Sequence, residues 1–133
     1  MKGSIIGDIA GSRWEFNNTF DYNFELFSEY NDFTDDTICT IAIADAIINK
    51  GSYQEYLLKW CRKYPNPKGA YGGSFCRWIF SSDHQPYNSF GNGAAMRISP
   101  VAFAFTNPED LIESDKATGF THNHPEALKV HAQ

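Results

Sequence analysis

The chain has 133 residues, 42% of them apolar and 16% aromatic, which indicates a single folded domain spanning residues 1–133 and excludes a disordered chain. Its net charge of -5 argues against nucleic-acid binding, which needs clustered Lys and Arg. No apolar run approaches the roughly 20 residues that span a bilayer, and the chain start lacks the unbroken apolar stretch of a signal peptide. We therefore expect a cytoplasmic protein that binds neither nucleic acid nor membrane.

The first motif in chain order is Gly7-Asp8-Ile9-Ala10-Gly11. Its two glycines lie on one helical face, a spacing typical of a helix that packs closely against a second backbone. Glu15 follows between Trp14 and Phe16, where apolar surroundings would raise the pKa of its carboxylate. An ordinary surface position is the alternative for Glu15.

Thr34-Asp35-Asp36-Thr37 precedes the most apolar segment of the chain. Two carboxylates flanked by hydroxyls are hard oxygen ligands of the kind that Mg²⁺ and Mn²⁺ prefer. The same residues suit a helix start, where Thr34 or Asp35 would cap the first amides and the acids would complement the helix dipole. Both interpretations remain open, and one does not exclude the other.

The remaining elements are predicted to be helices joined by Gly-, Asn- and Pro-rich loops, which gives an all-α fold. The helix after Thr37 is apolar almost all round, so we expect it at the centre of the fold. Pro100 should kink or restart a later helix. The predicted helices are 38–50, 53–60 with Ser52 as cap, 74–80, 94–105, one starting at Asn107-Pro108-Glu109-Asp110 and one starting at Asn123-His124-Pro125-Glu126.

The cysteines Cys39, Cys61 and Cys76 are odd in number and widely spaced. This excludes a disulfide framework and a cysteine zinc site, and it favours three buried small side chains.

The segment 89–97 contains a Gly91-Asn92-Gly93 turn before a helix, and such a turn can present backbone amides to a phosphate. A plain turn before a core helix is the alternative. Arg97 lies one helical turn further on and suits either a structural ion pair or a ligand contact.

The last motif is Thr121-His122-Asn123-His124-Pro125. A metal-binding pair, a loop that supplies polar groups to a ligand and an incidental pair of histidines all fit His122 and His124, although their spacing is not that of helix-borne zinc ligands.

Four motifs in this order resemble the ADP-ribosylglycohydrolase family. They are Gly-Asp-x-x-Gly with Glu15, Thr-Asp-Asp-Thr, Gly-Asn-Gly-x-x-Met-Arg-x-x-Pro and Thr-His-x-His-Pro. The resemblance runs from Gly7 to about Glu126. It implies an all-α hydrolase that uses two Mg²⁺ or Mn²⁺ ions to remove ADP-ribose from a modified protein or a small ADP-ribosyl substrate, by hydrolysis of an N- or O-glycosidic bond at ribose C1″.

The resemblance also implies roles for particular residues. Thr34, Asp35 and Asp36 match metal ligands, and Glu15 and Asp36 match the general acid or base. The ligand-binding matches are Gly91, Asn92, Gly93 and Met96 in the pocket loop, and His122 and His124 near the ribose and phosphate.

Members of the family complete the metal site with a C-terminal Asp-x-Asp-Thr motif, which this sequence does not contain. We therefore expect a fold of this type that is truncated at its C-terminus. A second chain or self-association would complete it; otherwise the chain is a catalytically inert protein that binds ADP-ribose or a remnant of the family.

Overall fold

A computed structural model describes residues 1–105 and 109–129. Apart from an isolated bridge between Thr34 and Lys68, the regular structure in these ranges is helical, which confirms the all-α prediction. No helix in them is long and apolar enough to cross a membrane. The helices are α1 Lys2–Gly11, α2 Asp35–Asn49, α3 Tyr53–Lys63, α4 Gly73–Phe80, α5 Gly93–Arg97, α6 Ser99–Ala104, α7 Glu109–Thr118 and α8 Pro125–Lys129.

Helix α2 is central, as its sequence predicts, and packs against α1, α3, α5 and α6. It begins at Asp35, three residues earlier than predicted, because the Thr34 hydroxyl accepts a hydrogen bond from the Asp36 amide at 3.2 Å. Such a cap stabilises a helix by about 1 kcal/mol. The early start places both aspartates in the first turn, close to the positive end of the helix dipole.

Two apolar clusters hold the helices around α2. The larger joins α2 to α3 and α4 and contains Cys39 and Cys61, both fully buried as predicted, whereas Cys76 is only partly buried. The smaller joins Ile43 of α2 to Val101 of α6 and Ala117 of α7. The larger cluster consists of Ile38, Cys39, Ala42, Leu57, Cys61, Tyr71, Phe75, Trp78 and Ile79.

The other helix predictions are confirmed with shifted ends. Helix α3 is capped by Ser52 and continues to Lys63. The apolar run 94–105 forms two helices, α5 and α6, which meet at Ile98. Pro100 lies in the first turn of α6, where its missing N–H costs nothing. The predicted cap at Asn107 lies outside the described residues.

The prediction for Gly7 and Gly11 is wrong for the described part of the chain. A Cβ atom built at either glycine meets no atom within 4 Å, so no backbone packs closely on this face of α1. The only buried residue of α1 is Ala10. Its C-terminal carbonyls, those of Ile9 and Ala10, instead accept hydrogen bonds from the Asn31 side chain at 2.8 and 3.1 Å.

Candidate functional site

The centre of the candidate site is the first turn of α2, which Asp8 of α1 fixes in place. Asp8 Oδ2 accepts hydrogen bonds from the backbone amides of Thr34 and Thr37 at 3.0 and 3.2 Å. The hydroxyls of the same two threonines donate to Oδ1 at 2.6 Å and to Oδ2 at 2.5 Å, respectively. Asp8 therefore supplements the Thr34 cap from a distant helix, and it determines how Asp35 and Asp36 are presented.

The two aspartates line different, neighbouring cavities. Asp36 lines a cavity of about 390 Å³ together with Asp8, Glu15 and Thr34. Asp35 lines a second cavity of about 280 Å³ on the other side of the turn. Asn92 lines both cavities, so the predicted Gly-Asn-Gly turn lies where the two cavities adjoin.

The second cavity collects most of the residues predicted to bind a ligand. Asp35 lines it together with Gly91, Asn92, Gly93, Met96 and His122. The glycines leave room for the imidazole, because a Cβ atom at Gly93 would lie 3.0 Å from His122 Cε1 and 3.2 Å from Nε2. His124 is not in the lining of either cavity; its ring lies 5.2 Å from that of Phe90. The ligand role of His124 stays a prediction without support from its position.

Negative charge accumulates around the first turn of α2. Burial raises the pKa of Asp35 to about 7, helped by the charges of Asp36, Glu15 and Asp8. Burial is also the main reason why the pKa of Asp36 is raised, followed by the charges of Asp8 and Glu15. Neither ion pair in the described part of the chain involves these carboxylates. The turn is therefore a place where an added cation would be favourable.

Glu15 reaches this turn from the segment after α1. It is exposed, which agrees with the surface alternative, yet its carboxylate lies directly over the backbone of Gly69. A Cβ atom at Gly69 would be 2.4 Å from Glu15 Oε2, and Gly69 has a φ of +80°. The turn that contains Gly69 thus defines where the Glu15 carboxylate can lie.

The site offers metal ligands of the kind that Mg²⁺ and Mn²⁺ prefer, but only a small number of them. Asp35 and Asp36 offer carboxylate oxygens. The pKa values of both carboxyl groups are raised, and a bound cation would lower them. The Thr34 hydroxyl already donates to Asp8 and accepts from the Asp36 amide. Among residues 1–105 and 109–129, no three His, Cys, Asp or Glu side chains are placed to hold one ion. A metal would therefore keep several water ligands or take further oxygen ligands from substrate.

The sequence interpretation did not anticipate the role of Asp8 or the hydrogen bonds of Arg97. Asp8 is the anchor of α2, although the interpretation of its motif rested on the glycines. For Arg97 we expected an ion pair or a ligand contact. The described residues provide no ion pair, and its Nη2 atom donates to the Thr118 carbonyl and the Thr121 hydroxyl. Arg97 also lines the second cavity, so the ligand contact stays a prediction. Gly72, the first two residues of α4 and Tyr87 also line the second cavity, without a signal in the sequence.

Comparison with known proteins identifies relatives of this chain by sequence. The human protein named ADP-ribosylhydrolase ARH3 is 24% identical over 144 residues, covering 84% of this chain and 40% of its own length. The proteins of the same name from Bos taurus and Mus musculus are 23% and 22% identical over the same share of this chain. This chain thus spans about 40% of the length of these relatives. No solved structure matches it.

A model of the family described as ADP-ribosylglycohydrolase matches residues 1–132, nearly the whole chain. The match includes all four motifs and both cavities. The chain belongs to the ADP-ribosylglycohydrolase family.

Proposed function

We propose that this chain carries the substrate-binding side of a metal-dependent hydrolase that releases ADP-ribose by cleaving an N- or O-glycosidic bond at ribose C1″. One observation carries the proposal: the cavity with the acidic pair Glu15 and Asp36 adjoins the cavity with the Gly-Asn-Gly turn and His122, and Asn92 lines both. A substrate with an anionic diphosphate and a reactive ribose needs such a pair of adjoining sites.

The two cavities suggest a division of roles. The cavity lined by Gly91, Gly93 and His122 would hold the diphosphate and the adjacent ribose, since the glycines allow a ligand close to the backbone. Asp35 and Asp36, with Thr34, would hold Mg²⁺ or Mn²⁺. Bound there, such an ion supplies a Lewis acid that orients ribose hydroxyls and water.

Proton transfer falls to the carboxylates of the larger cavity. Asp36 and Glu15 both line it, and either could take a proton from the attacking water or give one to the leaving group. Burial and the charges of Asp8 and Glu15 raise the pKa of Asp36, which makes its carboxylate a better proton acceptor than an exposed aspartate.

The test measures ADP-ribose released from proteins modified on arginine or on serine, with Mn²⁺ or Mg²⁺ present. Release is expected with at least one linkage and should disappear in Asp35→Ala. Asp83→Ala is the matched control, because Asp83 is exposed and its side chain accepts a local hydrogen bond from the Gln85 amide. No release with either linkage, even at high protein concentration, would exclude the hydrolase for this chain.

A protein that binds ADP-ribose without turnover is the second candidate, and the small number of metal donors in the described residues favours it. Calorimetric titration with ADP-ribose, with and without Mn²⁺, separates the two candidates. Binding without release in the first assay supports this candidate, whereas release in the first assay rejects it.

A second copy or another polypeptide could supply the missing oxygen ligands. Light scattering with and without Mn²⁺ tests self-association, which predicts a larger mass when the metal is present. An unchanged monomer mass alongside full activity would rule out this requirement.

A further inference from the structure

Arg97 is the largest fully buried side chain of the described residues, and it has no carboxylate partner among them. Its Nη2 atom donates to the Thr118 carbonyl at 3.3 Å and to Thr121 Oγ1 at 2.7 Å, and its Nε atom has no partner in the described part of the chain. The ring of Phe120 lies 5.1 Å from the guanidinium. Burying a cation in this way costs several kcal/mol, so stability does not explain it.

Arg97 itself lines the ligand cavity, and its hydrogen bond to Thr121 connects it to His122 in the same lining. Thr121 Oγ1 lies 2.8 Å from His122 Nδ1, and both residues are buried. Because Arg97 can only donate, Thr121 Oγ1 accepts from it, and the single proton of the hydroxyl goes elsewhere. The two possible acceptors are His122 Nδ1 and the Thr118 carbonyl, which is 3.2 Å away.

The Thr118 carbonyl is the poorer acceptor, because three other donors already approach it. The backbone amides of Thr121 and His122 donate to it at 3.0 and 2.9 Å, in addition to Arg97. A carbonyl oxygen has two lone pairs, so its capacity is used. The Thr121 hydroxyl proton is therefore directed to His122 Nδ1, which must be the unprotonated nitrogen of the ring.

We propose that Arg97 and Thr121 are positioning residues that hold His122 in the tautomer with its proton on Nε2, next to the glycine turn. Gly91 and Gly93 leave the space on that side of the ring, since their Cβ atoms would lie 4.0 and 3.2 Å from Nε2. In this tautomer the cavity side of the ring is a hydrogen-bond donor, suited to an anionic oxygen of a ligand. This ligand role rests on the proposed function; the tautomer itself does not.

The decisive measurement is a long-range ¹H–¹⁵N correlation spectrum of the histidine rings in the chain without ligand. It is recorded about two pH units above the ordinary histidine pKa, so that the rings are neutral. His122→Gln identifies which of the four histidine signals belongs to His122. The wild-type ring should carry its proton on Nε2, and a proton on Nδ1 would overturn the proposal.

Two substitutions at Thr121 separate positioning from packing. Thr121→Val removes the donor at nearly constant volume and should give a mixture of tautomers, whereas Thr121→Ser should restore the Nε2 form. Thr40→Val is the matched control, because Thr40 is equally buried but donates to the Met96 carbonyl. An unchanged ring signal in Thr121→Val overturns the proposal.

ADP-ribose affinity distinguishes this inference from the proposed function. We expect Thr121→Val to bind about ten times more weakly than the wild type, with Thr121→Ser and Thr40→Val near the wild type. Equal affinity of Thr121→Val and wild type overturns the ligand role and leaves the proposed function standing. No binding by any variant, including wild type, rejects the proposed function, and the spectrum alone then decides the tautomer.

Discussion

Replacing Asp8 tests whether the site depends on hydrogen bonds from α1 or on its charge. Asp8→Ala removes the acceptor for two backbone amides and two hydroxyls in the first turn of α2. Asp8→Asn removes the charge but keeps one oxygen, which can still accept three of these bonds if it takes the place of Oδ2. The two variants should therefore differ in stability.

The magnitude follows from how far the donors are buried. Thr34 and Thr37 are only 4% and 6% exposed, so their amides have little access to water when Asp8 is lost. Each unsatisfied amide costs about 1–3 kcal/mol, while the hydroxyls can rotate to other acceptors. Relief of repulsion with Asp35 and Asp36 offsets about 1 kcal/mol of this loss. With about 2 kcal/mol for each of the two amides, Asp8→Ala should then destabilise the fold by about 3 kcal/mol, and Asp8→Asn by about 1 kcal/mol.

The assay is urea unfolding with a chelator present, combined with carbon NMR titration of the Asp36 carboxyl. Since the charge of Asp8 helps to raise the pKa of Asp36, both variants should lower that pKa to a similar extent. Asp8→Ala should show a clearly larger loss of stability than Asp8→Asn. Asp83→Ala serves again as the exposed control and should unfold like the wild type.

Two results would refute this reasoning. Equal losses of stability in Asp8→Asn and Asp8→Ala would mean that charge, and not the hydrogen bonds, fixes the turn. A loss below about 0.5 kcal/mol in Asp8→Ala would mean that α2 starts at Asp35 without help from α1.

Two further predictions concern the neighbouring residues. Because the pKa of Asp35 rises from 3.8 to about 7 on folding, its contribution to stability is complete below about pH 4 and is lost as the pH rises through about 7. Without metal, the melting temperature should therefore fall over that interval, and Asp35→Asn should flatten the decline; an unchanged slope would contradict the raised pKa. Gly69→Ala should cost about 1–2 kcal/mol and displace Glu15, since Gly69 has a φ of +80° and its Cβ atom would lie 2.4 Å from Glu15 Oε2. Gly72→Ala, where a Cβ atom meets nothing within 4 Å, should keep wild-type stability in urea unfolding, and an equal loss of stability in both variants would contradict this account.

The local parts of the fold could be predicted because their causes are local. The Thr34 cap, the apolar run after it and the break before Pro100 each depend on residues within one or two turns. The predicted helix nevertheless begins three residues late, because the prediction follows the apolar run that starts at Ile38, whereas the capping alternative for Thr34 describes the observed start.

The anchor and the buried cation could not be predicted, because both depend on contacts across the fold. Asp8 meets Thr34 at a separation of 26 residues, and nothing in its own helix marks it as a cap for another. Arg97 contacts Thr121 at a separation of 24 residues. The sequence contains one usable signal for Asp8: it is the only charged residue between Ile5 and Ser12, on a helix of otherwise apolar and small side chains.

The polar attachment of α1 has a consequence for regional stability. Neither apolar cluster includes a residue of α1. Within the described residues, α1 is held by polar contacts: Asp8 with α2, Asn31 with the last carbonyls of α1, and Ser4 with Ser99 of α6. Such a helix can detach while α2, α3 and α6 remain folded, and its amides would exchange with solvent at a lower free energy than theirs. The carboxylate cluster would disperse in the same opening, since Asp8 lies on the detached helix. The free energy that holds the site together is therefore smaller than the free energy that holds the fold together.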